Sequence, residues 1–196
     1  MVVKKRVVVA TRNAHKVEEI RAILKEFEIR DLSVIENPPL VEETGITFLE
    51  NATLKALSIS RLTDDLVLSD DSGLEVDALD GGPGVYSSRY AGEEGNDALN
   101  NAKLLRELEE TSNRQARFRC VMVLARQGEP LADFSGAVEG TILPDRQGEG
   151  GFGYDPLFVP DGFQESFAEL GEEVKNSLSH RARALSQVAQ WLGEWG

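Results

Sequence analysis

Leu66-Val67-Leu68 runs directly into Ser69-Asp70-Asp71-Ser72-Gly73. The apolar run predicts a buried strand, and the polar stop with its glycine places both acids at the strand's exit. In α/β proteins the carboxyl ends of strands are where ligands bind. Two acids there suit a divalent metal, or a base that activates water. Asp, Ser and Gly are also ordinary turn residues, and taken alone the segment is better explained as an Asx-turn. The rest of the chain shifts that balance.

A chain of 196 residues, 41% hydrophobic and 28% charged, fits one globular domain over 1–196 that buries a real core and has room for two lobes. A formal charge of -13 argues against a general nucleic-acid or anionic-membrane binder, which needs a basic surface. A nucleotide substrate stays open, because a few clustered cations and a metal reverse the field locally. The single cysteine, Cys120, rules out an internal disulfide and a multi-cysteine zinc site. Within Cys120-Val121-Met122-Val123-Leu124 it reads as a small buried hydrophobe. Lys4-Lys5-Arg6 before Val7-Val8-Val9-Ala10 has the charge order of a signal peptide, but the apolar stretch is too short. No run approaches the roughly 20 residues that span a bilayer, so the expectation is a cytoplasmic protein.

Periodicity predicts a first strand over 6–10 and a helix from Ala14 to Phe27, with Val17, Ile20, Leu24 and Phe27 at helical spacing. A second strand is expected over 32–35, before the Pro38-Pro39 break. A helix over 47–63 carries Phe48, Ala52, Ala56, Ile59 and Leu62 on one face. Short strands are expected over 66–70 and 74–76, leading to the turn Gly81-Gly82-Pro83-Gly84. A helix over 97–110 turns Leu104, Leu105 and Leu108 inward. Long strands over 116–125 and 131–142 form a hairpin around Gln127-Gly128-Glu129. A glycine-rich stretch, 148–153, precedes Tyr154-Asp155-Pro156, and a last helix covers 179–195. This order indicates a mixed α/β sheet.

Several clusters suit chemistry. Thr11-Arg12-Asn13-Ala14-His15-Lys16 joins the first strand to the first helix, where free N–H groups favour phosphate and Thr11, Asn13 and Lys16 add donors. The glycines of a Walker loop are missing, and plain capping by Thr11 or Asn13 explains the segment as well. Glu42-Glu43-Thr44-Gly45 fits a solvated acidic helix start. Lys55 projects among Phe48, Ala52, Ile59 and Leu62, inside the apolar stripe, so its charge needs a partner, for which a carboxylate or a phosphate would serve, or must snorkel out to water. Arg181 shares a face with Leu185, Val188 and Leu192 in a first helical turn, where the dipole disfavours a cation, and it calls for a fixed acceptor. Gly150-Gly151-Phe152-Gly153-Tyr154-Asp155 sets aromatic rings between glycines. That arrangement suits stacking of a base, although a hairpin loop with Phe152 and Tyr154 packed inward is the plainer explanation.

Taken together, these residues resemble the inosine triphosphate pyrophosphatase family, end to end. The matching blocks are Thr11-x-Asn13-x-x-Lys16; Glu42-Glu43-Thr44-Gly45 with Phe48-x-Glu50-Asn51-Ala52; Ser69-Asp70-Asp71-Ser72-Gly73; Gly81-x-Pro83-Gly84; Gly151-Phe152-Gly153-Tyr154-Asp155; and Lys175-Asn176 with Ser179-His180-Arg181. The resemblance implies an elongated mixed sheet with flanking helices forming two lobes around an active-site cleft. It implies a homodimer that hydrolyses the purine nucleoside triphosphates ITP, dITP and XTP to monophosphate and diphosphate with Mg²⁺, without nucleic-acid or membrane partners. Carried over by position, Thr11 to Lys16 (Thr11, Arg12, Asn13, Ala14, His15 and Lys16) lie at the triphosphate. Glu43 and Asp71 would hold the metal, with Glu42 as a further acid, and Asp71 is the position the family treats as proton acceptor. Ser72, Phe152, Gly153, Tyr154, Asp155, Lys175, His180 and Arg181 would line the nucleotide site, with Lys55 added by the helical-face argument. One tension follows: a carboxylate bound to Mg²⁺ becomes a poorer base, so Asp71 is expected either to orient the water or to deprotonate it, with Asp70 or Glu43 nearer the metal.

Overall fold

The computed structural model describes residues 4–195. In chain order its elements are β1 (Arg6–Val9), α1 (Ala14–Ile23), β2 (Glu28–Arg30), α2 (Phe48–Ser60) and β3 (Leu66–Val76). They continue with α3 (Asp97–Glu107), β4 (Gln115–Arg126), β5 (Glu129–Ile142), β6 (Phe158–Pro160), α4 (Phe167–Leu178) and α5 (His180–Glu194). The strands form one sheet in the order β2-β1-β3-β4-β5-β6, the mixed α/β sheet expected. β1 runs parallel to both neighbours, with Val8 opposite Arg30 of β2 and Val67 of β3. β5 and β6 are antiparallel, with Gly140 opposite Pro160. Between β4 and β5, Gln127 and Gly128 take φ of 53° and 84°, the handedness a two-residue hairpin needs to match the strand twist.

The chain folds as two compact units. One comprises Met1–Asp71, Cys120–Ser135 and Arg183–Gly196; the other comprises Ser72–Arg119 and Gly136–Ala182. In the first, β1 and β3 are buried on both faces. Val7, Val9, Leu66 and Leu68 pack with Val17 and Ile20 of α1 and Leu185, Val188 and Leu192 of α5. Val8 and Val67 face the other way, against Ile59 of α2 and Ile35. Cys120 is fully buried in the first of these clusters. Thr47 starts α2 with a capping box: its hydroxyl accepts from the Glu50 amide, and the Glu50 carboxylate accepts from the Thr47 amide.

In the second unit, Leu74 and Val76 of β3 and Ala116 and Phe118 of β4 pack with Leu104 and Leu108 of α3 and the rings of Phe158 and Phe167. Here β4 alternates. Arg117 and Arg119 occupy the positions between the buried ones and form ion pairs with Glu139 of β5 and Asp77 just beyond β3 (both 2.9 Å) and with Glu75 of β3 (3.2 Å).

The structure differs from the sequence reading at several places. The acids do not stand at a strand exit: β3 is one strand of 11 residues that carries Asp70 and Asp71 in its middle. Alternation sends them to opposite faces, and each meets a lysine from the helix covering that face, so the polar stretch does not stop the strand. The segment over 32–35 is a 3₁₀ turn rather than a strand, because Asp31 caps it by accepting from the Ser33 amide, while the strand lies upstream at Glu28–Arg30. Hydrogen bonds from Ser33 and Arg21 hold the Asp31 carboxyl down at about 2. α1 ends at Ile23 with Leu24 as its cap, leaving Phe27 outside the helix. Leu62 lies beyond α2 and is half exposed. α4 and β6 were not predicted. α4 hides its apolar residues among glutamates and is broken at Gly171 (φ 78°), although Ser166 and Glu169 form a capping box that the sequence displays.

Gly140 has no room for a side chain: a Cβ there would collide with the Val159 carbonyl oxygen and lie 2.5 Å from the Phe158 ring. Gly140→Ala should therefore destabilise the fold by about 1–3 kcal/mol, the range for overpacking. Urea unfolding measures it, and an unchanged midpoint would refute the close approach.

Candidate functional site

The first unit holds a cluster of lysines and acids. The segment after β1 ends in Asn13, which caps α1 by accepting from the Lys16 amide at 3.2 Å; Thr11 Oγ1 accepts from the Asn13 amide. The capping explanation for Asn13 therefore holds. Arg12 is exposed and donates to the Pro38 carbonyl; Ala14 and His15 are exposed on the first turn. Lys16 reaches back from α1 to Asp70 of β3, Nζ to Oδ2 3.1 Å, and the Asp70 side chain is fully buried. A buried carboxylate is tolerable only with such a partner.

On the other face of β3, Lys55 of α2 places its ammonium between two acids, 2.6 Å from Glu43 Oε1 and 3.3 Å from Asp71 Oδ1. The partner that the helical stripe demanded is thus a pair of carboxylates. Asn51, one turn before Lys55 and fully buried, donates from Nδ2 to Asp71 Oδ2 at 3.2 Å and accepts the Gly45 amide on Oδ1 at 2.8 Å. It ties the acidic loop to β3. Burial pushes the Asp71 carboxyl above its ordinary value; Lys55 opposes this without cancelling it, and Glu43 adds to it. Burial pulls Lys55 down, but Asp71, Asp70 and Glu43 outweigh it and hold the ammonium above its usual value. Glu42 is exposed. Among the described residues no three or more His, Cys, Asp or Glu side chains gather as a metal cage.

The second unit holds a cluster around Phe152. Asp155 Oδ2 accepts from the Phe152 amide (2.9 Å) and from Lys175 Nζ (2.7 Å), and both charged side chains are buried. The Lys175 ammonium lies 4.3 Å from the centre of the Phe152 ring, and the Arg181 guanidinium lies 5.9 Å from it. Arg181, 1% exposed, donates from Nη2 to Ser72 Oγ at 3.0 Å, so a fixed acceptor does stand beside it. Tyr154 turns inward and its hydroxyl donates to the Ser87 carbonyl at 2.9 Å; Phe152 stays half-buried. His180 is buried too, its ring stacked on Phe118 at 5.0 Å within the aromatic packing.

Lys16, Lys55, Glu43, Asp70 and Asp71 are thus joined in one unit, and Ser72, Phe152, Asp155, Lys175 and Arg181 in the other. Arg12, Ala14, His15 and Glu42 stay at the surface, while Tyr154 and His180 are buried. Asn51 had been given no role from sequence. Its spacing of four from Lys55 was the available signal, since residues i and i+4 share a helix face.

Three comparisons bear on this arrangement. The sequence model of the Ham1 family matches residues 7–191. A dITP/XTP pyrophosphatase of Bacillus licheniformis is 46% identical over 194 residues, covering 97% of this chain and 99% of its own. A protein of the same description from Geobacter sulfurreducens is 50% identical over 195 residues, covering 97% and 98%. Among solved structures, the Ham1 protein of Staphylococcus aureus superposes with a TM-score of 0.88 at 38% identity, covering 98% of this chain and all of that one. With nearly the whole chain matched in sequence and fold, the protein belongs to the Ham1 family.

Proposed function

We propose that the protein hydrolyses purine nucleoside triphosphates of the dITP and XTP type to monophosphate and diphosphate. In the first unit the lysine–acid cluster suits a triphosphate; in the second, the Phe152 cluster suits a purine base. The observation that carries the reading is the pair of half-buried lysines, each held against β3 by a carboxylate, in a chain whose relatives are dITP/XTP pyrophosphatases. Lys16 and Lys55 supply the positive charge that a polyphosphate leaving group needs, and phosphoryl transfer depends mainly on positioning and charge neutralisation. Water attacks the α-phosphorus and the bond to the diphosphate breaks. The proton goes to Asp71, whose carboxyl burial has made a better acceptor than a free aspartate. Asn51, bonded to Oδ2, holds that carboxylate in place and leaves Oδ1 for the water once Lys55 turns to phosphate.

The donor set fits Mg²⁺ brought in with the nucleotide. Glu43 and Asp71 both face the position that the Lys55 ammonium fills, Glu43 the nearer of the two, and this hard ion takes one or two carboxylates, the remainder of its shell being phosphate and water; with Glu43 as the nearer acid, Asp71 keeps its capacity to accept the proton. Once bound, it would neutralise phosphate charge. Asp70 faces the other side of the strand, toward Lys16, and is left out of that set. On the base side, Arg181 only donates, so it favours the C6 carbonyl of hypoxanthine or xanthine over the amino group of adenine. The homodimer and the cytoplasmic setting belong to the same proposal on the strength of the resemblance; no helix of the described residues is long and apolar enough to cross a membrane.

Incubation with dITP, XTP, dATP and dGTP plus Mg²⁺ should release diphosphate from the first two. Orthophosphate in its place would refute α–β cleavage. Asp71→Asn should lower kcat by roughly 100-fold or more at saturating Mg²⁺. The same variant should melt higher than wild type at pH 7, because an aspartate raised in the fold is penalised when ionised. That gain should vanish below pH 3.8, where the acid is protonated folded and unfolded alike. Near-normal kcat would remove Asp71 from the chemistry. Arg181→Ala should lower kcat/KM for dITP far more than for dATP, compressing a discrimination of about a hundredfold. An unchanged ratio would place base reading elsewhere.

A further inference from the structure

The Phe152 loop is held by more than Asp155. Gly153 takes φ of 62°, and both of its backbone polar groups are gripped by α3. Its amide donates to Asp97 Oδ2 at 2.7 Å, and its carbonyl accepts from Asn101 Nδ2 at 2.8 Å. Asp97 and Asn101 are four apart, one above the other on the same helix face. The same Asn101 amide also donates to the Asp97 carbonyl at 2.6 Å. The Gly153 amide belongs to the peptide that follows Phe152. The peptide before Phe152 is held by Asp155, which also donates its own amide to the Phe152 carbonyl at 3.2 Å. With the peptides on both sides fixed, the Cα–Cβ direction of Phe152 is fixed as well, and with it the ring that lies against Lys175.

Neither residue is explained by helix formation alone. Asn is a weak helix former, yet Asn101 sits inside α3 at 1% exposure. Its Oδ1 is buried without a hydrogen-bond partner among the described residues, an arrangement that costs free energy. What offsets that cost is the donor side of the amide, spent on Gly153. Asp97 is in the first turn of α3, where the dipole favours a carboxylate, but it uses that charge on the loop.

We infer that Asp97 and Asn101 are positioning residues for base recognition: by gripping Gly153 they hold the Phe152 ring in the orientation that receives a purine. The inference rests on the function proposed above and deepens it, naming which residues behind the Phe152 loop set the affinity for the base. Both side chains bond to the loop at Gly153, and neither belongs to the lysine–acid cluster. Their loss should therefore be felt by the base and not by the phosphates.

The test compares dITP with inorganic tripolyphosphate, which carries the phosphates and no base. In Asp97→Ala and Asn101→Ala, KM for dITP should rise about tenfold, the scale of one charge-assisted hydrogen bond lost from a preorganised site, with kcat within about threefold of wild type. Inhibition by tripolyphosphate should keep its wild-type constant. Asp97→Asn retains an acceptor oxygen and should recover most of the affinity. Phe152→Ala, run alongside, should show the same split between dITP and tripolyphosphate. An unchanged KM, or a loss falling equally on dITP and tripolyphosphate, overturns the inference. If wild-type protein does not turn over dITP at all, the proposed function fails instead, and the two failures are told apart by that control.

Discussion

Two carboxylates inside a sheet strand depend on two lysines, and much of the first unit follows from that need. A strand sends neighbouring residues to opposite faces, so Asp70 and Asp71 cannot share a partner from one helix. Asp70 is met by Lys16 from α1 and Asp71 by Lys55 from α2. An unpaired charge at such depth would cost several kcal/mol, which fixes how each helix lies along β3. One turn of slippage in either helix, about 5.4 Å, would break its ion pair.

The same arrangement explains why this cluster suits a charged ligand rather than maximal stability. Asp71 is pushed up by burial even with a lysine beside it, and Glu43 adds like charge. Glu43, Asp70 and Asp71 together outnumber Lys16 and Lys55, so the cluster holds more negative than positive charge. A cation arriving with phosphates would relieve that excess while giving the lysines anionic oxygens to bind. A carboxylate raised in this way gives up stability, as the groups of acid–base sites generally do.

The second unit solves a different problem, the holding of an aromatic ring on a glycine-rich loop. Glycines let the loop adopt its turns but would leave it loose. Asp155, Asp97 and Asn101 take up the loop's backbone groups, and the buried Lys175 closes the arrangement from the other side. The loop is held by side chains on α3 and α4 as well as by its own Asp155.

The sequence by itself determined the apolar framework. Val7 to Val9 and Leu66 to Leu68 had to be buried strands, α2 had to carry Lys55 on its inner face, and Arg181 had to find an acceptor. Each of these follows from local periodicity and from the cost of an unpartnered charge, both of which a single chain segment displays. Tertiary structure alone decided what the acids are. A polar run that reads as a turn became the middle of β3, because its charges are neutralised by residues 54 and 16 positions away, Lys16 for Asp70 and Lys55 for Asp71. It also decided that Tyr154 would bond to Ser87 and His180 stack on Phe118, and that Asn101 would hold Gly153, 52 residues downstream. Such pairings are set by which elements the sheet brings together, and no local pattern in the chain encodes them.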